Sequence, residues 1–259
     1  MIKRIQNKVT SRYRSLYWRF YNAIYSFFLK RMKLAYKLPT DISVKVSSFA
    51  DWSIYNDIFV AGEYDSSIRQ ILRVGSGPVR ILDLGANVGL FIKRVLHLRR
   101  SEAPNVAVEL ICVEGAPSTY ALLQQQIPEL RSGEKVNLLQ GLAGRKSGEA
   151  ILATNPFHAM TGLARHPKMA GVAVRFIDLN EATRHWPRID LLKCDIEGAE
   201  QLVLENYQDL LGKVDFAVFE FHLDRVNRQQ CLDLAVSAGL TRREVHHENE
   251  YISVETLGR

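Results

Sequence analysis

Apolar residues recur along this chain in two periods, and the change from one to the other sets its organisation. From Ile2 to Tyr36 they fall three and four residues apart (Ile2, Ile5, Val9, Tyr13, Leu16, Phe20, Ile24, Phe27), the spacing of one helix face. Pro39 ends that helix. Asp41 to Ser48 alternates through Ile42, Val44 and Val46, as a short strand does. Asp51 is the expected N-cap of a helix over Trp52–Leu72 that breaks near Gly62, and Gly75-Ser76-Gly77-Pro78 then punctuates the chain.

Beyond that point strands and helices alternate. Strands are predicted over Val79–Leu84, Val106–Val113, Lys135–Gln140, Ile189–Cys194 and Val214–Phe221. Helices are predicted over Leu90–Arg99, from Pro117 to about Gln126, Ala199–Leu211 and Arg225–Ala238. Glu149–Ala153 and Val172–Ile177 form a pair around a loop, and Arg242–His246 with Tyr251–Glu255 form a terminal antiparallel hairpin. Apolar strands interleaved with helices imply an α/β fold: a mostly parallel sheet with helices on both faces. The chain therefore divides into a basic aromatic helical arm (1–40), a helical lead-in (41–78) and an α/β domain (79–259).

Charge sharpens this division. The 34 Lys and Arg residues exceed the 28 Asp and Glu by six, yet residues 1–40 hold ten of the bases and no acid. The remaining 24 bases face all 28 acids, so the body is mildly acidic and no nucleic-acid partner is expected. Cationic and aromatic residues on an amphipathic arm suit peripheral membrane contact or self-association through residues 1–38. The uncharged run from Phe20 to Leu29 is far shorter than the ~20 residues of a spanning helix. Cys112, Cys194 and Cys231 stand far apart in apolar stretches, as buried reduced thiols do. The expected location is cytoplasmic, at the inner face of the membrane if the arm binds lipid.

The chemistry gathers at predicted strand ends. Ile81 to Gly89 reads Ile-Leu-Asp-Leu-Gly-Ala-Asn-Val-Gly, a strand ending in an acid and then a glycine turn opening a helix. Gly85, Asn87 and Gly89 in such a turn let backbone amides approach a ligand. The dinucleotide fingerprint GxGxxG is not met, since Asn87 and Leu90 stand where it needs glycine. Asp83 repels a pyrophosphate and suits a cationic ligand with an α-amino group, such as S-adenosylmethionine (SAM). Glu114, at the tip of the next strand, is positioned to accept hydrogen bonds from ribose hydroxyls.

A third strand ends Lys193-Cys194-Asp195-Ile196-Glu197-Gly198-Ala199-Glu200. It brings Asp195 and Glu197 to the same crevice. Methyl transfer to an oxygen needs an aligned acceptor and a group that takes its proton. Glu197 is the candidate base, and Asp195 orients the acceptor or a metal. Glu220 and His222, two apart on a further strand, share a face. With Asp195 they offer a metal ligand set, or His222 is itself the base. A polar pair satisfying the end of the sheet is the preferred reading, and no metal site is assigned.

Together these residues resemble the FkbM family of SAM-dependent O-methyltransferases. The likeness runs through Gly62-Glu63-Tyr64, Asp83–Gly89, Val113-Glu114-Gly115, Leu191–Glu200 and Phe219–His222, over roughly residues 50–250. The resemblance implies a class I methyltransferase Rossmann-like fold, SAM as cofactor and a hydroxylated acceptor such as a sugar, glycan or secondary metabolite. It also implies that Glu63 and Tyr64 cover the cofactor. Gln140-Gly141-Leu142-Ala143 departs from the pattern, lacking an acid for the adenine amino group. Residues 154–171, with His158, Met160 and Arg165, are expected to shape the acceptor pocket. Two alternatives remain: an NAD-binding oxidoreductase on a related fold, and a non-catalytic membrane-associated module.

Overall fold

The computed structural model describes residues 34–74, 77–153 and 171–259, together with Ile24, Phe27, Phe28 and Arg31, which are helical. The rest of the expected N-terminal helix up to Lys33, Gly75-Ser76 and residues 154–170 of the expected acceptor loop lie outside the described residues.

Two short strands come first. β1 (Leu34–Lys37) pairs antiparallel with β2 (Ser43–Val46), Leu34 opposite Val46. This corrects the helix expected to run as far as Tyr36. Val44 and Val46 are fully buried and Tyr36 stacks on Tyr55 at 4.7 Å, so packing here overrides the helical spacing upstream. α1 (Phe49–Tyr55) is capped by Ser48, not by Asp51 as expected. Ser48 Oγ accepts the Asp51 amide, and Asp51 Oδ2 in turn accepts the amide of Ser47 at 2.7 Å. The helix then loosens into a π-helical turn (Asn56–Ala61), which Gly62 ends at φ 68°. α2 (Asp65–Val74) follows the break.

The α/β body runs β3 (Val79–Leu84), α3 (Leu90–Glu102), β4 (Val108–Glu114), α4 (Pro117–Gln126) and β5 (Glu134–Gln140). A two-stranded antiparallel ribbon follows, β6 (Glu149–Ala153) with β7 (Gly171–Arg175), then α5 (Leu179–Ala182) and β8 (Ile189–Cys194). The chain ends with α6 (Glu200–Asn206), α7 (Gln208–Leu211), β9 (Val214–His222), α8 (Arg228–Ser237), β10 (Arg242–Glu248) and β11 (Ile252–Gly258). The helix expected over Ala199–Leu211 is thus two helices meeting at Tyr207. That residue is fully buried, and its hydroxyl bonds to the Arg145 carbonyl at 2.9 Å.

Seven strands form one sheet in the order β5-β4-β3-β8-β9-β11-β10. β5, β4, β3, β8 and β9 are mutually parallel, and β11 inserts antiparallel between β9 and β10. Alternate residues of each central strand enter opposite cores. Ile81, Leu110, Leu191 and Val218 pack with α2 and α3, whereas Leu82, Ile111, Leu192 and Phe219 pack with α6 to α8. This is the doubly wound sheet expected from the sequence, with its antiparallel hairpin at the C-terminal end. All three cysteines are buried and free. Among the described residues no helix is long and apolar enough to cross a membrane.

The chain leaves β3 toward β4 on one side and later returns to β8 on the other. Such a switch in strand order opens a crevice at the carboxyl ends of the strands, where open α/β sheets bind ligands.

Candidate active site

The crevice begins with the turn after β3. Gly85 (φ 84°), Asn87 (φ 49°) and Gly89 (φ 83°) all take left-handed conformations, which carry the chain from strand to helix within five residues. Gly85 is required by its neighbour: a Cβ there would lie 1.8 Å from the Asp195 carbonyl oxygen. Gly89 serves packing, since a Cβ would meet Leu123 at 2.8 Å, and it lines neither cavity described below. Asn87 donates its amide hydrogen to Glu114 Oε2 at 2.9 Å, and Ala116 donates to Glu114 Oε1 at 2.7 Å. Burial raises the Glu114 pKa, and these two amides work against the shift.

A cavity of about 630 Å³ opens here, between the Gly85–Asn87 turn, Glu114 and the Gly141–Ala143 segment, with Asp195 and Glu197 at its edge. A second cavity, of about 780 Å³, lies between the same turn and the α1–α2 region and is lined by Asp57, Glu63, Tyr64, Phe91, Lys193 and Glu220. Both include Gly85, Asn87, Asp195 and Glu197, so they form one elongated crevice.

Asp83 does not face this crevice. Its carboxylate is fully buried beneath the floor, with Lys193 Nζ 3.3 Å from Oδ1. The ammonium expected beside Asp83 is thus present within the protein itself, on Lys193. Lys193 also donates to the Gly85 carbonyl at 2.9 Å and lies 3.6 Å from Asp195 Oδ2. Burial opposes its charge, but Asp83 and then Asp195 outweigh burial and raise its pKa. A single lysine thus joins the ends of β3 and β8.

The second cavity is rich in carboxylates. Burial, and then the charge of Asp57, push the Glu63 pKa up to about 7. Burial, and then Asp195, push Glu220 up to about 9. Tyr64 packs edge-on to Phe91 at 5.1 Å and is buried. Arg94 holds Asp65, one residue on, through Nε at 2.7 Å, which fixes the start of α2.

Glu197 sits in a left-handed turn (φ 55°) followed by Gly198 (φ 93°). A Cβ at Gly198 would lie 2.1 Å from Arg225 Cδ, so this glycine makes room for an arginine and not for a ligand. Glu197 Oε2 is 3.3 Å from His222 Nε2 and 3.6 Å from Arg225 Nη1, and Arg225 also donates to the Glu197 carbonyl. On its other side His222 Nδ1 is 3.0 Å from Glu200 Oε1, which accepts the amides of Ile196 (3.3 Å) and Gly198 (2.9 Å) as well. Burial works against charge on His222, but Glu197 and Glu200 overcome it and push the pKa up to about 11. His222 thus stands between Glu197 and Glu200, contacting one through each ring nitrogen.

Of the expected site residues, Glu63, Tyr64, Gly85, Asn87, Glu114, Asp195 and Glu197 line the crevice. Asp83, Gly89 and His222 support it from outside. Sequence reasoning missed Lys193, Glu200, Arg225 and Asp57. Lys193 carried a usable signal, being a lysine inside an apolar parallel strand, where only a buried partner makes it tolerable.

No protein-family model matches this chain, and no curated protein matches it. Among solved structures, the METTL16 methyltransferase domain is 9% identical, with 89% of this chain and 87% of that one covered and a TM-score of 0.47. MnmC2 from Aquifex aeolicus is 13% identical, covering 86% and 69%, with a TM-score of 0.43. A methyltransferase from Pyrococcus furiosus is 8% identical, covering 80% and 92%, with a TM-score of 0.39. Cofactor and substrate are therefore read from the crevice itself.

Proposed function

We propose that this chain is a SAM-dependent O-methyltransferase of FkbM type, acting on a hydroxyl of a sugar, glycan or secondary metabolite. One observation carries the cofactor reading. The crevice joins Glu114, at the strand end that reads a ribose, to a cavity walled by Asp57, Glu63, Asp195, Glu197 and Glu220. A dinucleotide would bring its pyrophosphate against these carboxylates. A cationic adenosyl ligand is attracted by them. Glu63 Oε1 is a buried oxygen without a hydrogen-bond partner, the kind of acceptor an ammonium would satisfy.

In this reading Glu114 takes the ribose hydroxyls, the Gly85–Asn87 turn backs the adenosyl group, and Glu63 and Tyr64 enclose the amino-acid end. SAM supplies a methyl carbon made electrophilic by its sulfonium. Asp195 orients the acceptor hydroxyl and Glu197 accepts its proton, held at one position by Arg225 and His222. A fixed base of this kind contributes about 10²–10⁴ in rate. Alignment adds several kcal/mol more. Incubating the protein with methyl-labelled SAM and panels of nucleotide sugars, lipid-linked glycans and hydroxylated metabolites tests the reading. Label in an O-methyl ether is the expected result. Label confined to nitrogen or carbon would overturn the acceptor class.

A further inference from the structure

Five carboxylates on the wall of the second cavity face one lysine there, Lys193, whose ammonium already serves Asp83 and Asp195. Two of these carboxylates, Asp195 and Glu220, adjoin His222 behind the wall, and ligand atoms of the three all lie within 4.8 Å of one another, a span that one ion can bridge. They come from the adjacent strands β8 and β9, so the sheet sets their spacing. We propose that Asp195, Glu220 and His222 form a divalent-cation site, with two carboxylate oxygens and one imidazole nitrogen suited to Mn²⁺, Fe²⁺ or Zn²⁺.

A separate feature supports this. A histidine that binds a metal through one ring nitrogen typically engages a carboxylate through the other, which fixes the ring. His222 Nδ1 faces Glu200 in this way at 3.0 Å, and Glu200 is fully buried and anchored by the Ile196 and Gly198 amides. Nε2 points to the carboxylates: 3.3 Å to Glu197 Oε2 and 3.9 Å to Glu220 Oε1. Lys193 Nζ stands 3.6 Å from Asp195 Oδ2. The ion's role, lowering the pKa of the acceptor hydroxyl, rests on the methyl-transfer reading. The site itself does not.

Mn²⁺ titrated into chelator-stripped full-length protein and followed by electron paramagnetic resonance tests the site. The expected result is loss of the free-ion signal at about one ion per chain. Glu220→Gln and Asp195→Asn should each weaken binding about tenfold or more, and Glu200→Gln about 10- to 100-fold. Wild-type protein that leaves the free-ion signal unchanged, or Glu220→Gln and Asp195→Asn proteins that bind as wild type does, would overturn it. SAM titrated into the same samples separates the two claims. SAM binding without Mn²⁺ binding removes the ion site alone, and Mn²⁺ binding without SAM binding removes the transferase reading alone.

Discussion

Asn87 donates its amide hydrogen to Glu114 Oε2 at 2.9 Å, tying the turn after β3 to the end of β4. Asn87 reaches this position only in a left-handed conformation, which asparagine tolerates better than most residues. Glu114 therefore both shapes the turn and lines the cavity. Glu114→Ala should weaken SAM binding at least tenfold in isothermal titration calorimetry. Unchanged affinity would mean that the ribose lies elsewhere.

Glu197 is held against His222 and Arg225 at the junction of the two cavities. Glu197→Gln keeps the size and removes the proton acceptor. Turnover should fall by about 10²–10⁴, with SAM affinity within about twofold of wild type. Single-turnover rates of methyl transfer measure the effect. A full rate would make Glu197 only a structural element of the turn.

Gly85 faces the Asp195 carbonyl with no room for a side chain. Gly85→Ala places a Cβ in a left-handed conformation and into backbone. It should cost at least about 1–3 kcal/mol in urea unfolding and abolish SAM binding. The sequence identified this glycine but assigned its need to a ligand. The structure assigns it to the crossing of two strand ends.

That contrast describes how the sequence could be read. Elements of local period, such as β3, α3 and β8, were legible because side-chain burial repeats with the element. Glu114 and Asp195 were legible because an acid that ends an apolar strand has few structural uses. Asp83 looked the same but was neutralised from below by Lys193, and a cross-strand pair leaves no mark in local spacing. β1 was misread because Tyr36 finds its partner, Tyr55, on a helix still to come. Glu200 and His222 are 22 residues apart, and only the parallel pairing of β8 with β9 brings them together.

Glu63 has a pKa raised to about 7, chiefly by burial. Below that pH it is neutral and attracts a cation less; above it the carboxylate forms. SAM affinity should therefore rise between pH 6 and 7.5, and the rise should flatten in Glu63→Gln. Calorimetry across this range in both proteins reads the difference. Parallel slopes would exclude Glu63 from the ligand's amino-acid end.

Residues 1–40 carry ten bases and no acid, and Phe27 and Phe28 leave more than half of their surface exposed. Each base near anionic lipid is worth about 1 kcal/mol. Removing residues 1–32 spares β1, and it should reduce sedimentation with phosphatidylserine-containing liposomes. Equal sedimentation of both proteins would favour an arm that packs on protein.

Calorimetric titration of SAM and of NAD into the same preparation tests the central claim most directly. Saturable binding of SAM at about one per chain, with no heat from NAD, is what this account of the crevice predicts. Binding of NAD in the absence of any SAM binding would contradict it.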